Sequence, residues 1–181
     1  MEDSLYLKSG KVILYPTDTI WGIGCNALNV DAIDRIKQIK GRDKTKSFIL
    51  LMKDIDMLNN YVEDIPNVAF ELMNSITTPL TIIYPKAKNL PIEHLSMNES
   101  IGIRIPKNTY LQQLFNEFPY PIVSSSANFS GKPAAHSFNE IDQELISKVD
   151  YVSKYGRTKK LNNEASTIYL ITNDNKTIKI R

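Results

Sequence analysis

Short runs of apolar, β-favouring residues recur along this chain, and helix-like stretches fill the intervals. The runs are 12–15, 48–52, 80–84, 101–105, 122–125, 167–171 and 177–180. Several are almost wholly apolar, as expected of strands buried on both faces of a sheet. Between them, 31–40 carries Ile33, Ile36 and Ile39 on one stripe, with Asp31 placed to cap its start and Gly41 where the chain leaves it. Stretch 67–75 follows Pro66, and 109–118 sets Leu111, Leu114, Phe115 and Phe118 on one side. Stretch 137–149 opens with Ser137 and has Glu140 three residues on, which predicts a capping box. Strands alternating with helices specify an α/β fold. The chain has 181 residues, which suits one domain over 1–181.

Composition narrows the function classes. No apolar run approaches the roughly 20 residues of a membrane span, and the acidic start Met1-Glu2-Asp3-Ser4 has no signal-peptide core behind it. The expected location is the cytoplasm. One cysteine, Cys25, and two histidines, His94 and His136, are a poor basis for a zinc site, so no metal ligands are expected. Cys25 sits among small residues and reads as a core-filling thiol. A net charge of +2 argues against a general nucleic-acid coat. Positive charge is concentrated locally, with Lys37, Lys40, Arg42, Lys44 and Lys46 in ten residues. That cluster reads either as a solvated face or as an anion-binding loop.

Three polar loops follow apolar or helical segments. Ser124-Ser125-Ser126-Ala127-Asn128-Phe129-Ser130-Gly131 continues the run 121–123 and offers small hydroxyls, an amide and backbone N–H groups. Tyr15-Pro16-Thr17-Asp18-Thr19-Ile20-Trp21-Gly22-Ile23-Gly24 continues the run 12–15. Lys40-Gly41-Arg42 ends the first amphipathic helix. Together they suggest one composite pocket for a small anionic substrate. Gly22-Ile23-Gly24 has the spacing of neither a Walker nor a Rossmann loop. Ser126 has no histidine beside it and no Gly-x-Ser-x-Gly elbow around it, which argues against covalent serine catalysis.

These pieces, in this order, resemble the YrdC/Sua5 family, the threonylcarbamoyl-AMP synthases, in its short form. The family's Pro-Thr-(Asp/Glu)-Thr-Val-Tyr-Gly-Leu-Gly element is matched by 16–24, with Ile20 and Trp21 for Val and Tyr. Its Lys-x-Arg…Ser-x-Asn tetrad is matched by Lys40, Arg42, Ser126 and Asn128. Arg104-Ile105-Pro106-Lys107-Asn108 resembles Arg-x-Pro-x-His with Asn in place of His, and Ser166-Thr167-Ile168 resembles the late Ser-Thr-(Val/Ile) strand. The family's Lys-Pro-Leu element stands as Lys46-Ser47-Phe48. The resemblance implies a single YrdC-like domain, its core from about residue 10 to 181: a twisted mixed sheet with flanking helices and a concave, basic ligand pocket.

It also implies a reaction that joins L-threonine, bicarbonate and ATP into threonylcarbamoyl-AMP and pyrophosphate. Mg²⁺ is then expected to arrive on the nucleotide's phosphates. Lys40, Arg42, Ser126 and Asn128 are the implied catalytic set. Arg42 suits two phosphate oxygens at once, and Lys40 a mobile point charge. Ser126 and Asn128, two apart on an extended segment, are expected to face one ligand. Thr19, Arg104, Ser124 and Thr167 are implied on the threonine side. Arg104 is the expected carboxylate clamp, since an arginine in so apolar a strand is costly to bury without a partner. Asp18 reads as a turn acid and Trp21 as a core aromatic. Arg42, Lys46, Ser100, Asn128, Ser166 and Arg181 are implied on the nucleotide side. The product would pass to downstream tRNA-modification proteins, with a weak contact to tRNA or double-stranded RNA as a further expectation. Two other readings stay open: an RNA-binding module of this fold without synthase activity, and a related carbamoyl transferase.

Overall fold

The apolar strands join into one continuous sheet, and the polar loops hang from the strand ends. The structure is a computed structural model that describes residues 1–43, 46–96, 99–158, 161 and 165–181, with Glu93 described for its backbone alone. Lys44, and 159–160 and 162–164 of the loop expected at 156–165, lie outside the described residues.

The strands are β1 (Ile13–Pro16), β2 (Trp21–Gly24), β3 (Ile49–Leu51), β4 (Leu80–Tyr84), β5 (Ile101–Arg104), β6 (Ile122–Ser126), β7 (Tyr151–Val152), β8 (Thr167–Ile171) and β9 (Thr177–Lys179). Among the described residues they form one mixed sheet, ordered β7-β1-β2-β6-β3-β5-β4-β8-β9. β1/β7, β3/β5 and β4/β8 run parallel, and the other neighbours run antiparallel. The helices are α1 (Glu2–Lys8), α2 (Val30–Lys40), α3 (Ile55–Asn59), α4 (Asn67–Ser75), α5 (Ile92–Leu95), α6 (Thr109–Glu117) and α7 (Gln143–Lys148). The expected α/β architecture is present, and every apolar run read as a strand overlaps one.

Local chemistry explains most boundaries. α2 begins one residue earlier than expected. Asn29, not Asp31, caps it by accepting the Ala32 N–H at 3.0 Å, and Gly41 leaves it in the left-handed region at φ 56°. Ile33, Ile36 and Ile39 are buried along its inner face. Asn108, which departs from the family pattern, caps α6 by accepting the Leu111 N–H at 2.8 Å. The helix expected over 137–149 is broken. Phe138–Glu140 is a 3₁₀ turn, and Asp142 starts α7 afresh by accepting the Glu144 N–H. The Ser137/Glu140 pair does form, with hydroxyl to carboxylate at 3.0 Å, but it closes only that turn.

Five elements were not read from the sequence: α1, α3, α5, β2 and β7. α1 packs Leu7 into the core and ties its Ser4 and Met1 to Glu117 at the end of α6. β2 lies inside the segment taken as a loop. Its glycine content permits what a strand seldom needs: a Cβ on Gly24 would stand 2.2 Å from the Val123 carbonyl and 2.7 Å from the Tyr15 ring. Cys25 is fully buried, and burial pushes its thiol well above the ordinary range, in keeping with a packing role.

Candidate active site

The β1–β2 hairpin is the most densely wired part of the site. The Thr17 N–H donates to the Ile20 carbonyl at 3.2 Å, and the Thr17 hydroxyl donates to the same carbonyl at 2.7 Å. The N–H groups of Thr19 and Ile20 donate to the Thr17 oxygen at 3.1 and 3.2 Å. A four-residue turn is thereby fixed by one side chain.

Arg104 reaches this turn from the last position of β5. It is 6% exposed. Its Nη1 donates to Thr19 Oγ1 at 3.1 Å, and its Nη2 lies 3.2 Å from Asp18 Oδ1. The second contact is one of charge; its angle does not make a hydrogen bond. The run 101–105 itself holds no acid to pair with Arg104. The partner comes from another strand's turn, and the turn acid Asp18 holds an ion pair. The Arg104 Nε is buried and has no hydrogen-bond partner.

A cavity of about 380 Å³ opens on this face, within the usual range of about 300–1,000 Å³ for ligand sites. Thr17, Thr19, Gly22 and Arg104 line one side. Ser124, Ser125 and Ser126 at the end of β6 line the floor with Ile49. Arg42, Ser47, Ala134, Ser166 and Arg181 line the rest. Three arginines around one cavity suit it to anions. Strand alternation puts Ile103 and Ile105 on the other face of β5. There they line a larger cavity of about 610 Å³ with Leu80, Ile82 and Tyr84. None of the sequence-predicted site residues lines that second cavity.

Arg42 and Lys40 arrive from the end of α2, and they behave differently. Arg42 is half-buried, donates from Nη2 to the Ser47 carbonyl at 2.6 Å, and lies 4.7 Å over the Phe48 ring. Phe48, a departure from the family pattern, thus supports the guanidinium by its face. Lys40 is not a mobile point charge. It is 3% exposed, and its Nζ donates to the carbonyls of Ser126 and, at 2.5 Å, of Asn128. Burial, helped by the Arg42 charge, pulls its ammonium down to about 8.

Ser126 and Asn128 do not face one ligand as the alternation argument expected. The Asn128 N–H donates to the Ser126 carbonyl at 2.9 Å, so the chain turns between them. The Asn128 amide donates to the carbonyls of Phe129 and Lys132 at 3.0 and 2.6 Å, inside its own loop. Ser126 lines the cavity and Asn128 does not.

On the far wall, Ser166 Oγ and Thr81 Oγ1 are 2.8 Å apart, and the Arg181 Nε donates to the Ser166 carbonyl at 3.0 Å. The terminal arginine is therefore held against the cavity. Thr167 opens β8, where its N–H donates to the Pro79 carbonyl, and it does not line the cavity. Lys46 and Ser100 do not line it either. Lys46 contributes its carbonyl, which accepts from the Arg42 Nε at 3.2 Å. Sequence reasoning missed the site role of Asp18, and the sign that pointed to it was an acid between two threonines at a hairpin turn. His94 is drawn to Asp34 at 3.1 Å, away from Ser126, and among the described residues no three of His, Cys, Asp and Glu converge as a metal site.

The Sua5/YciO/YrdC family model, described as telomere recombination, matches residues 5–181. A threonylcarbamoyl-AMP synthase of Pseudoalteromonas translucida is 33% identical over 148 residues, 80% of this chain and 79% of that protein. Escherichia coli YciO superposes with a TM-score of 0.85 at 28% identity, over 99% of this chain and 86% of its own. Pyrococcus abyssi Sua5, solved in complex with L-threonine, gives a TM-score of 0.88 at 25% identity. This chain is covered to 99% in that superposition and spans 52% of the Sua5 chain. A match over nearly every residue, on a sheet whose polar loops gather at one basic cavity, makes this chain a member of the Sua5/YciO/YrdC family.

Proposed function

We propose that this protein is a threonylcarbamoyl-AMP synthase. The observation that carries the reading is the convergence of Arg42, Arg104 and Arg181 with Thr19 and the Ser124–Ser126 hydroxyls on one cavity. The synthase name of the P. translucida relative and the L-threonine bound to P. abyssi Sua5 support it.

The reaction has two steps. The amino nitrogen of L-threonine bonds to the carbon of bicarbonate, water leaves, and a carbamate forms. A carbamate oxygen then attacks the α-phosphorus of ATP, and the bond to the β-phosphate oxygen breaks to release pyrophosphate. Both partners of the second step are anions. The protein's task is to hold them in line and offset their repulsion.

Arg104 and Thr19 take the threonine carboxylate and side chain, with Ser124 beside them. Arg42 and Arg181 take phosphate oxygens, and Ser126 donates to the carbamate or the α-phosphate. Lys40 acts by holding the Ser126 and Asn128 carbonyls, and Asn128 by holding its loop. Ser166 holds Arg181. Lys46, Ser100 and Thr167 contact the substrates only if they approach the cavity on binding. Mg²⁺ comes on the nucleotide's phosphates, whose charge it would partly neutralise. The product feeds the tRNA-modification proteins that form threonylcarbamoyladenosine, in the cytoplasm.

The test is an incubation with ATP, labelled bicarbonate and a panel of amino acids. The reading predicts pyrophosphate and a labelled adenylate only when L-threonine, ATP and bicarbonate are all present. Equal pyrophosphate release with L-valine, or without bicarbonate, overturns it.

A further inference from the structure

The larger cavity, of about 610 Å³, takes no part in the reaction above. Along β4, Leu80, Ile82 and Tyr84 line it, while Thr81 between them turns to Ser166 on the wall of the smaller cavity. Ile103 and Ile105, with Met73 and Ile76 at the end of α4, complete an apolar body. Two kinds of polar group interrupt it. The first is Tyr84, which is 2% exposed and whose hydroxyl has no hydrogen-bond partner among the described residues. Burial alone raises its phenol above the ordinary range, with no hydrogen bond set against it. A buried tyrosine hydroxyl ordinarily finds a partner, and the cavity is the space from which one can come.

The second kind is cationic. Lys53 and Lys107 line the cavity, and neither has an ion partner among the described residues. The carboxylates beside them are mostly engaged. Asp18 is paired with Arg104 at 3.2 Å, and Asp54 accepts the Met57 N–H at 2.8 Å as the cap of α3. Of the lining carboxylates, Asp56 alone has no such engagement among the described residues, and it is exposed. The unengaged charge is therefore positive on balance. Tyr84 and the lysines stand at opposite ends of β5. Tyr84 is in register with Ile101, and Lys53 follows Met52, whose N–H donates to the Arg104 carbonyl at 3.0 Å. Three steps of strand separate those levels, about 10 Å at the usual rise.

We propose that the larger cavity is a second binding site, for an unbranched carboxylate of medium length that carries an oxygen at its far end. The carboxylate meets Lys53 and Lys107, the chain lies along Met73, Ile82 and Ile103, and the Tyr84 hydroxyl donates to the far oxygen. Apolar burial supplies affinity with little selectivity. The ammonium groups select the charge, and the hydroxyl selects the length. This site is independent of the reaction assigned to the smaller cavity.

Titration calorimetry on the full chain tests it, with 8-hydroxyoctanoate, octanoate, 1,8-octanediol and 8-amino-1-octanol as the ligands. The hydroxy acid is expected to bind, with octanoate and the diol each at least about 5-fold weaker, the scale of one hydrogen bond lost. The amino alcohol should bind weakest. Lys53→Gln combined with Lys107→Gln should bring the hydroxy acid down to the affinity of the diol. Tyr84→Phe should bring it down to that of octanoate and leave octanoate itself unchanged. Saturating ATP or L-threonine should displace none of it.

No binding of 8-hydroxyoctanoate by the native protein overturns the site. Tighter binding of the amino alcohol than of the acid overturns its charge. Displacement by ATP puts the acid in the smaller cavity and overturns its location. If Tyr84→Phe does not fold, equal affinity of the native protein for octanoate and 8-hydroxyoctanoate overturns the role of Tyr84.

Discussion

Asp18 Oδ1 and Arg104 Nη2 stand 3.2 Å apart, one on a hairpin turn and the other at the end of a strand in the middle of the sheet. Asp18 offsets the cost of burying the guanidinium and restrains it from behind. Arg104→Lys keeps the charge but loses the two-pronged geometry. The variant is expected to fold and to raise the KM for threonine at least about 10-fold while the KM for ATP changes little, the scale of one charge-assisted hydrogen bond lost. Steady-state kinetics with each substrate varied in turn checks this. A loss confined to ATP means the two subsites are assigned the wrong way round.

Arg42→Ala should lower turnover at least about 100-fold, on the scale of one charge-stabilising group removed from a transition state. The melting temperature should move little, because the hydrogen bonds of Arg42 are to two carbonyls of its own loop and it covers only one core ring, Phe48. Single-turnover pyrophosphate release with a parallel melting curve separates the two effects.

Lys40 links pH to activity and to stability in opposite senses. Its folded value of about 8 lies below its ordinary 10.5, because burial disfavours the ammonium. Activity that depends on the charged clamp should fall as pH rises through about 8. Between about 8 and 10.5 the unfolded chain holds this proton and the folded chain does not, so this residue's contribution to stability rises with pH over that window. The kcat/KM profile should show an alkaline limb near 8, and denaturant unfolding at pH 8 and 10 should show the opposing trend once Lys40→Met is subtracted.

Gly24→Ala should be severe. The added methyl would stand 2.2 Å from a backbone carbonyl, which cannot swing aside as a flexible side chain can. Overpacking of a core costs about 1–3 kcal/mol, and a clash with backbone belongs at or beyond the top of that range. Denaturant unfolding measures it, and a change below about 0.5 kcal/mol would show that β2 and β6 can part without penalty.

The sequence was most legible where a residue's surroundings are its own neighbours. The runs at 80–84 and 101–105 became β4 and β5 because period and composition decide a buried strand locally. α6 followed from its stripe of Leu111, Leu114 and Phe115, all buried. β2 escaped because Trp21-Gly22-Ile23-Gly24 has no run of branched residues, and the close approach that rewards its glycines is made to Val123 on a distant strand. The Asp18–Arg104 pair escaped for the same reason: it joins the β1–β2 turn to a strand remote in sequence and separated from β2 in the sheet by β6 and β3. Asn128 was misdirected because a single hydrogen bond, its own N–H to the Ser126 carbonyl, ends the two-residue alternation on which the reading relied. The family resemblance named Thr19, Arg42, Arg104, Ser124, Ser126, Ser166 and Arg181, which line the cavity, along with Lys40, Lys46, Ser100, Asn128 and Thr167, which do not.

β5 separates two cavities, and Ile103 lines the larger while Arg104 lines the smaller. Asp18, the partner of Arg104, lines the larger one as well. Sliding this strand by one residue against β3 or β4 would turn the guanidinium toward Leu80, Ile82 and Tyr84 and take it from Thr19. The residue read as the ligand's clamp is therefore also a pin for strand alignment. Mispaired conformers of this sheet are penalised during folding by a single charge at the end of one strand.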